Sequence, residues 1–133
     1  SHYLKPYIPL IRIELSEQKW KRAAQLAQKC RRVDPRLGEF GYYDAIASFN
    51  LGDMAAAANA LESFQSSEDA HRFPDGLRMA SFFHVQKGDY PKAAAAMRLF
   101  LKASPNSPHA KETQRKLNEW EDMGMVARTS VEK

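Results

Sequence analysis

The sequence predicts an all-α protein that consists of three helix-turn-helix hairpins followed by one more helix. Apolar residues recur at intervals of three and four along most of the chain, which is the period of an amphipathic helix. A Gly-Asp turn followed by a helix occurs at Gly52-Asp53 and again 36 residues later at Gly88-Asp89. Prolines close the first and last of the resulting segments, at Pro35 and Pro105.

The first hairpin is predicted over residues 4–37. Pro6 and Pro9 favour an irregular lead over residues 1–8, because proline fits a helix only in its first turn. A first helix then follows Pro9, and a second extends from Trp20 to about Val33. Ser1-His2 are consistent with the remnant of a removed tag, so the chain would be an excised fragment.

The second hairpin is predicted over residues 38–73. Its first helix is rich in aromatic residues, and Asp53 is placed to cap its alanine-rich second helix. The least repetitive stretch, residues 65–75, is interpreted as a loop or frayed turn with Phe73 tucked onto the helix below it. The alternative is that this loop faces a ligand.

The third hairpin is predicted over residues 74–107, and its second helix follows Gly88. A capping helix is predicted over residues 108–123, with Ser107 as its N-cap and Pro108 at its first position. Trp120 is expected to lie in the core of this region. Gly124 ends the helix, and residues 124–133 are expected to be frayed.

A short pattern is formed by Gly88, Asp89, Tyr90 and Ala93, and it is partly repeated from Gly52 and from Gln18. This pattern resembles the tetratricopeptide repeat. The unit of that family is a helical hairpin of about 34 residues. The resemblance covers roughly residues 4–107. It implies a right-handed superhelical stack of three hairpins with a C-terminal capping helix, and the proline-containing segment ends look like bacterial examples.

Composition excludes several classes of function. The chain has 133 residues, 44% of them hydrophobic, and a net charge of +4. No apolar run approaches the roughly 18 residues that a membrane span requires, so no membrane insertion is expected. The basic residues of the second helix lie off the apolar stripe that carries Trp20, so they do not interleave with aromatic residues, and no nucleic-acid binding is predicted.

No catalytic, metal or cofactor site is predicted. Cys30 is the one cysteine, which excludes an internal disulfide, and its repeat position indicates a small core side chain. The four histidines lack the spacing that would bring two to one metal ion, and the sequence has no glycine-rich phosphate loop. The protein is therefore predicted not to be an enzyme.

Binding of a protein or peptide is the predicted function. In stacked hairpins the first helices line a concave groove, which commonly holds a peptide or a partner helix. Carried over from the groove positions of the tetratricopeptide family, the residues that the resemblance implies for this groove are Arg12, Tyr42, Ile46, Phe49, Asn50, Arg78, Phe82 and Gln86. The alternative is that Tyr42, Ile46 and Phe82 only pack against neighbouring hairpins.

Three polar residues stand out at positions where a core is expected. Asp44 occupies a place typical of leucine, Ser48 follows one turn later, and His84 is the counterpart of Ser48 in the third hairpin. We expect the three to meet between adjacent hairpins. A hydrogen-bonded structural cluster is favoured over a functional pocket, because a buried carboxylate needs partners.

A second hypothesis for the function is self-association through the ends of the repeat array, which would make the chain a homo-oligomer or a fragment of a larger repeat protein. A dimer in solution would favour it. The localisation stays open between the cytoplasm and a periplasmic or secreted setting within a larger bacterial protein.

Overall fold

The computed structural model describes residues 3–128, and every regular element in that range is helical. The predicted all-α class is therefore confirmed. Ser1-His2 and residues 129–133 lie outside the described residues. The elements are α1 (Tyr7–Ser16), α2 (Trp20–Val33), α3 (Gly38–Asn50), α4 (Met54–Gln65), a short 3₁₀ helix (Ala70–Arg72), α5 (Pro74–Gln86), α6 (Tyr90–Ala103) and α7 (Ala110–Asp122).

Each helix packs against the next along the chain, with α1 on α2, α3 on α4, and α5 on α6 as three successive pairs. Further contacts join α2 to α3, α4 to α5, and α6 to α7. Buried alanines are common where the helices meet, for example Ala23, Ala57 and Ala93, none of which is accessible to solvent. Small side chains allow helix axes to approach closely. The buried residues form three clusters, and the partly buried Tyr42 and Leu101 each pack against two of them.

The helices α1, α3, α5 and α7 end in the same left-handed turn. Its second residue after the helix has a positive φ: 61° at Gln18, 81° at Gly52, 74° at Gly88 and 73° at Gly124. The next N–H then donates to a carbonyl five residues earlier, as from Asp53 to Ser48 at 2.9 Å. These turns define equivalent positions, which lie 34 residues apart between the first two pairs and 36 apart thereafter.

Aspartate caps the second helix of two pairs. The side chain of Asp53 accepts a hydrogen bond from the N–H of Ala56 at 3.1 Å, as the sequence predicted, and Asp89 accepts one from Lys92 at 3.2 Å. Lys19 holds the equivalent position before α2, where no side-chain cap forms. The first pair therefore lacks both the turn glycine and the cap.

The predicted irregular lead over residues 1–8 is too long. α1 begins at Tyr7, and Pro9 is its third residue. A proline is tolerated there because the N–H groups of the first turn have no partner within a helix. Leu4 is buried and packs with Ile11, which holds the preceding turn against the core.

The predicted C-terminal elements also differ from the structure. α7 begins at Ala110, because Ser107 accepts a hydrogen bond from His109 within a turn that precedes the helix. The described part of the predicted frayed tail is packed: Val126 is 8% exposed and joins the apolar cluster of α6 and α7. Trp120, predicted to be core, is 7% exposed.

The stretch between α4 and α5 is a structured connection that contains the 3₁₀ helix. Phe73 packs on Phe64 with ring centroids 6.3 Å apart, which agrees with the prediction that it tucks onto the helix below. Asp69 accepts a hydrogen bond of 2.8 Å from the N–H of Gly38, so this connection also satisfies the start of α3.

Candidate functional site

A hollow of about 620 Å³ lies where the ends of α3 and α5 meet the beginning of α4. We call it the middle hollow. Three phenylalanine rings form its apolar wall, and they contact one another edge to face: Phe49 with Phe83, and Phe82 with Phe83, each pair with centroids 6.0 Å apart. The complete lining is Phe49, Met54, Ala55, Ala58, Asn59, Glu62, Phe82, Phe83, Gln86 and Lys87.

Several large apolar side chains of this hollow remain open to solvent. Phe82 is 54% exposed, Met54 45% and Phe49 42%. Their proximity makes a continuous apolar patch, whereas an isolated exposed apolar residue would need no explanation. The volume also lies within the range of pockets that hold small ligands or side chains of a partner.

Met54, which lines the hollow, differs from the residues at equivalent positions. Its equivalents at the start of α2 and α6 are Trp20 and Tyr90. The Tyr90 ring meets the Trp120 ring edge to face at 5.1 Å and so fills the junction with α7. Met54 carries no ring, and its flexible side chain is 45% exposed beside the hollow between α4 and α5.

The rim of the middle hollow is polar. Gln86 and Lys87 lie at the end of α5, and Glu62 lies on α4. Glu62 pairs with Lys92 at 3.3 Å, so its charge is already matched within the chain. The lining therefore holds one lysine, Lys87, and one carboxylate, Glu62, whose charge is paired with Lys92.

The structure brings three of the predicted groove residues, Phe49, Phe82 and Gln86, to this one hollow. Phe82 also borders a smaller hollow of about 230 Å³ between α5, α6 and α7, and Arg78 lies there. Asn50 is exposed, and its amide donates to the carbonyl of Ile46 at 2.8 Å. Ile46 itself is partly buried against the core of the first pair.

Arg12, also predicted for the groove, belongs to a separate polar contact between α1 and α3. Its guanidinium donates to the Tyr43 hydroxyl at 2.6 Å and to Glu39 at 3.0 Å, and Tyr43 donates to Glu39 at 2.5 Å. Burial, followed by the hydrogen bond to Glu39, raises the pKa of Tyr43 to about 12. These contacts fix the first pair to the second.

Tyr42 contributes chiefly to the core. Its ring lies 5.7 Å from those of both Phe64 and Phe73, between α3 and the connection that precedes α5. Gly76 makes room for it, because a Cβ there would come within 2.9 Å of the Tyr42 ring and 2.6 Å of the Phe64 ring. Phe64 and Phe73 belong to the same predicted hairpin as Tyr42, so these ring contacts lie within the second hairpin.

The predicted polar cluster forms only in part. Asp44 is 1% exposed and accepts hydrogen bonds from Ser48 at 2.9 Å, Gln28 at 3.1 Å and Arg31 at 2.6 Å. The α2 side chains therefore supply the donors that a buried carboxylate requires. This arrangement joins the first and second pairs.

His84 forms its hydrogen bond elsewhere, with the Gln65 side chain at 2.9 Å. Burial lowers the pKa of His84, and this effect exceeds the opposing influence of the carboxylates of Asp89 and Glu62. The histidine therefore joins α5 to the end of α4, in the same way that Asp44 joins α3 to α2.

Sequence reasoning missed Met54, Phe83 and Lys87 as parts of the candidate site. A signal for Met54 was present, since it is the position without an aromatic ring among three equivalents. Within residues 3–128, no group of three His, Cys, Asp or Glu side chains is placed to hold a metal ion. The described helices include none long and apolar enough to cross a membrane.

Comparisons with protein-family models, with curated proteins and with solved structures found no match to this chain. Its function must therefore be inferred from its own residues.

Proposed function

We propose that this protein is a non-catalytic interaction module of the tetratricopeptide type, and that it binds an extended peptide or a partner helix at the middle hollow. The three helix pairs would form the right-handed stack that the sequence resemblance implies. The partner would extend from the middle hollow along the first helices of the pairs.

The observation that carries this proposal is the exposure to solvent of three apolar side chains, Phe49, Met54 and Phe82, that line a hollow of about 620 Å³. Aromatic residues at the centre of an interface commonly supply much of the binding free energy. A polar rim of Gln86 and Lys87 surrounds this wall, which is the arrangement that protein interfaces favour.

Selection from a random peptide library on the purified chain tests the proposal. Peptides that are enriched should bind the unmodified protein with measurable affinity by fluorescence anisotropy. The double substitution Phe49→Ser and Phe82→Ser should raise their Kd by about 30-fold, because two anchors worth roughly 1 kcal/mol each would be lost.

A matched control removes two exposed apolar side chains outside the middle hollow, Val33 and Leu99, by substitution with serine. Both residues are at least 40% exposed. This control should change Kd less than about twofold, while circular dichroism verifies that both double variants stay helical. A selection without enrichment, or equal losses of affinity in the two variants, would refute docking at this hollow.

A further inference from the structure

Three equivalent positions begin the second helices of the pairs, and two of them carry an aromatic ring. Tyr90 places its ring against Trp120 of the following helix at 5.1 Å, and Trp20 is partly buried at the start of α2. Met54 is the third, and it is 45% exposed beside the middle hollow. In the third pair, the chain itself therefore supplies the ring that the second pair lacks.

The wall of the middle hollow is suited to such a ring. Phe83 contacts both Phe49 and Phe82 edge to face, each with ring centroids 6.0 Å apart, and Phe49 and Phe82 keep about half of their surface open to solvent. An entering aromatic ring can extend this arrangement, whereas an aliphatic side chain cannot reproduce edge-to-face contacts. Wall chemistry thus favours an aromatic occupant over leucine or valine.

The rim adds a preference of charge. Lys87 lies on the rim, while Glu62 is engaged with Lys92 at 3.3 Å. A carboxylate next to the entering ring would lie near the Lys87 ammonium, and complementary charges at the rim of an interface mainly improve specificity and the rate of association. A lysine in the same place would face a like charge.

We propose that the partner's anchor at the middle hollow is an aromatic residue with an acidic neighbour, and that its ring occupies the place that Tyr90 fills in the third pair. This inference rests on the proposed docking function and specifies the chemistry of the partner. It assigns Met54 as the residue that keeps the hollow open.

Blocked dipeptides test the anchor directly. N-acetyl-tryptophanyl-glutamate amide is titrated into the isotopically labelled protein, and shifts of the signals of Phe49, Met54 and Phe82 are followed by NMR. The expected result is saturable binding at least tenfold tighter than that of the leucyl-glutamate analogue. A tryptophanyl-lysine analogue should bind more weakly than the glutamate form, and Lys87→Gln should reduce that difference.

Substitution at Met54 provides the matched test within the chain. Met54→Trp should fill the hollow, abolish dipeptide binding and leave thermal stability equal or higher. Met54→Tyr, the residue of the third pair, serves as the second variant should tryptophan prevent folding. Met54→Leu keeps a side chain of similar volume and should retain binding within about twofold.

The outcomes separate this inference from the docking function. Equal affinity for the leucyl and tryptophanyl dipeptides, or unchanged binding by Met54→Trp and Met54→Tyr, overturns the aromatic anchor. If library peptides still bind and lose affinity in the variant lacking Phe49 and Phe82, the docking function survives that result. If neither library peptides nor dipeptides bind, both proposals fall.

Discussion

At the scale of single residues, Asp44 shows how a carboxylate can replace an apolar side chain in the core. The equivalent residues of α1 and α5 are Leu10 and Ala80, and neither needs a partner. Asp44 lies between the guanidinium of Arg31 and the amide of Gln28, both of which belong to α2. Through these two hydrogen bonds, the carboxylate of Asp44 joins α3 to α2.

We expect Asp44→Ala to lower the free energy of unfolding by about 3 kcal/mol, because it leaves the partly buried Arg31 without its counter-ion. Urea denaturation measures the change. The double variant Asp44→Leu and Arg31→Met, in which both charges are absent, should recover most of the loss. A single-variant loss below about 1 kcal/mol would mean that solvent screens this pair.

The family resemblance supplied the predicted groove residues, but it did not supply the directions of their side chains. Phe49 and Phe82 were placed at an exposed surface, and they are there. Tyr42 was predicted for the same groove. Its ring instead packs against Phe64, because Gly76 on another helix leaves space for it. That space depends on tertiary packing, which the local sequence period does not encode.

At the scale of the helix and its ending, the left-handed turns differ in one residue. Glycine adopts a positive φ without steric cost, and it does so after α3, α5 and α7. Gln18 adopts a φ of 61° after α1, where its Cβ opposes that conformation. The first pair therefore has the least favourable turn of the four.

We expect Gln18→Gly to raise the free energy of unfolding by about 0.5–1 kcal/mol, since relief of the left-handed strain exceeds the added entropy of the unfolded chain. Chemical denaturation monitored by circular dichroism provides the measurement. Gln25→Gly, on the exposed face of α2, should instead destabilise the protein by about 1 kcal/mol. Destabilisation by both glycines would show that the turn carries no strain.

The helices themselves were largely predictable, because proline, glycine and aspartate punctuate the chain. The predicted starts of α2, α5 and α6 follow from Trp20, Pro74 and the Gly88-Asp89 turn, and the structure has them there. Helix ends near the termini were less predictable. Leu4 and Val126 are buried by contacts with distant helices, so local composition gave no sign of them.

At the scale of the whole molecule, His84 links pH to stability. Burial lowers its pKa in the folded state, so the unfolded chain binds a proton more readily. The contribution of the neutral histidine is complete above the unfolded pKa of about 6.5 and is lost as pH falls through that value toward the folded pKa. Folding should therefore weaken between pH 7 and pH 5.

The free energy of unfolding, measured by urea denaturation across this pH range, should fall less steeply in His84→Gln than in the unmodified protein. Glutamine keeps a hydrogen-bonding group next to Gln65 but does not titrate. His109→Gln, at an exposed position before α7, is the control and should preserve the original slope. Parallel curves for all three proteins would exclude His84 as the source of the pH dependence.

The 36-residue spacing of the turns at Gly52, Gly88 and Gly124 has a consequence for how such a chain can change length. Residues 38–73 and 74–109 are segments of equal length. They begin at Gly38 and Pro74, the first residues of α3 and α5, and α7 begins at Ala110, directly after the second segment. Duplication of a whole segment at such a boundary would preserve the phase of every later helix, whereas a short insertion within a helix would rotate the apolar face that follows it away from its neighbour. The middle hollow, however, takes Met54 from one segment and Phe82 and Phe83 from the next, so duplication of residues 38–73 alone would place Ile46 and Ala47 beside the copied Met54 and would not copy the hollow.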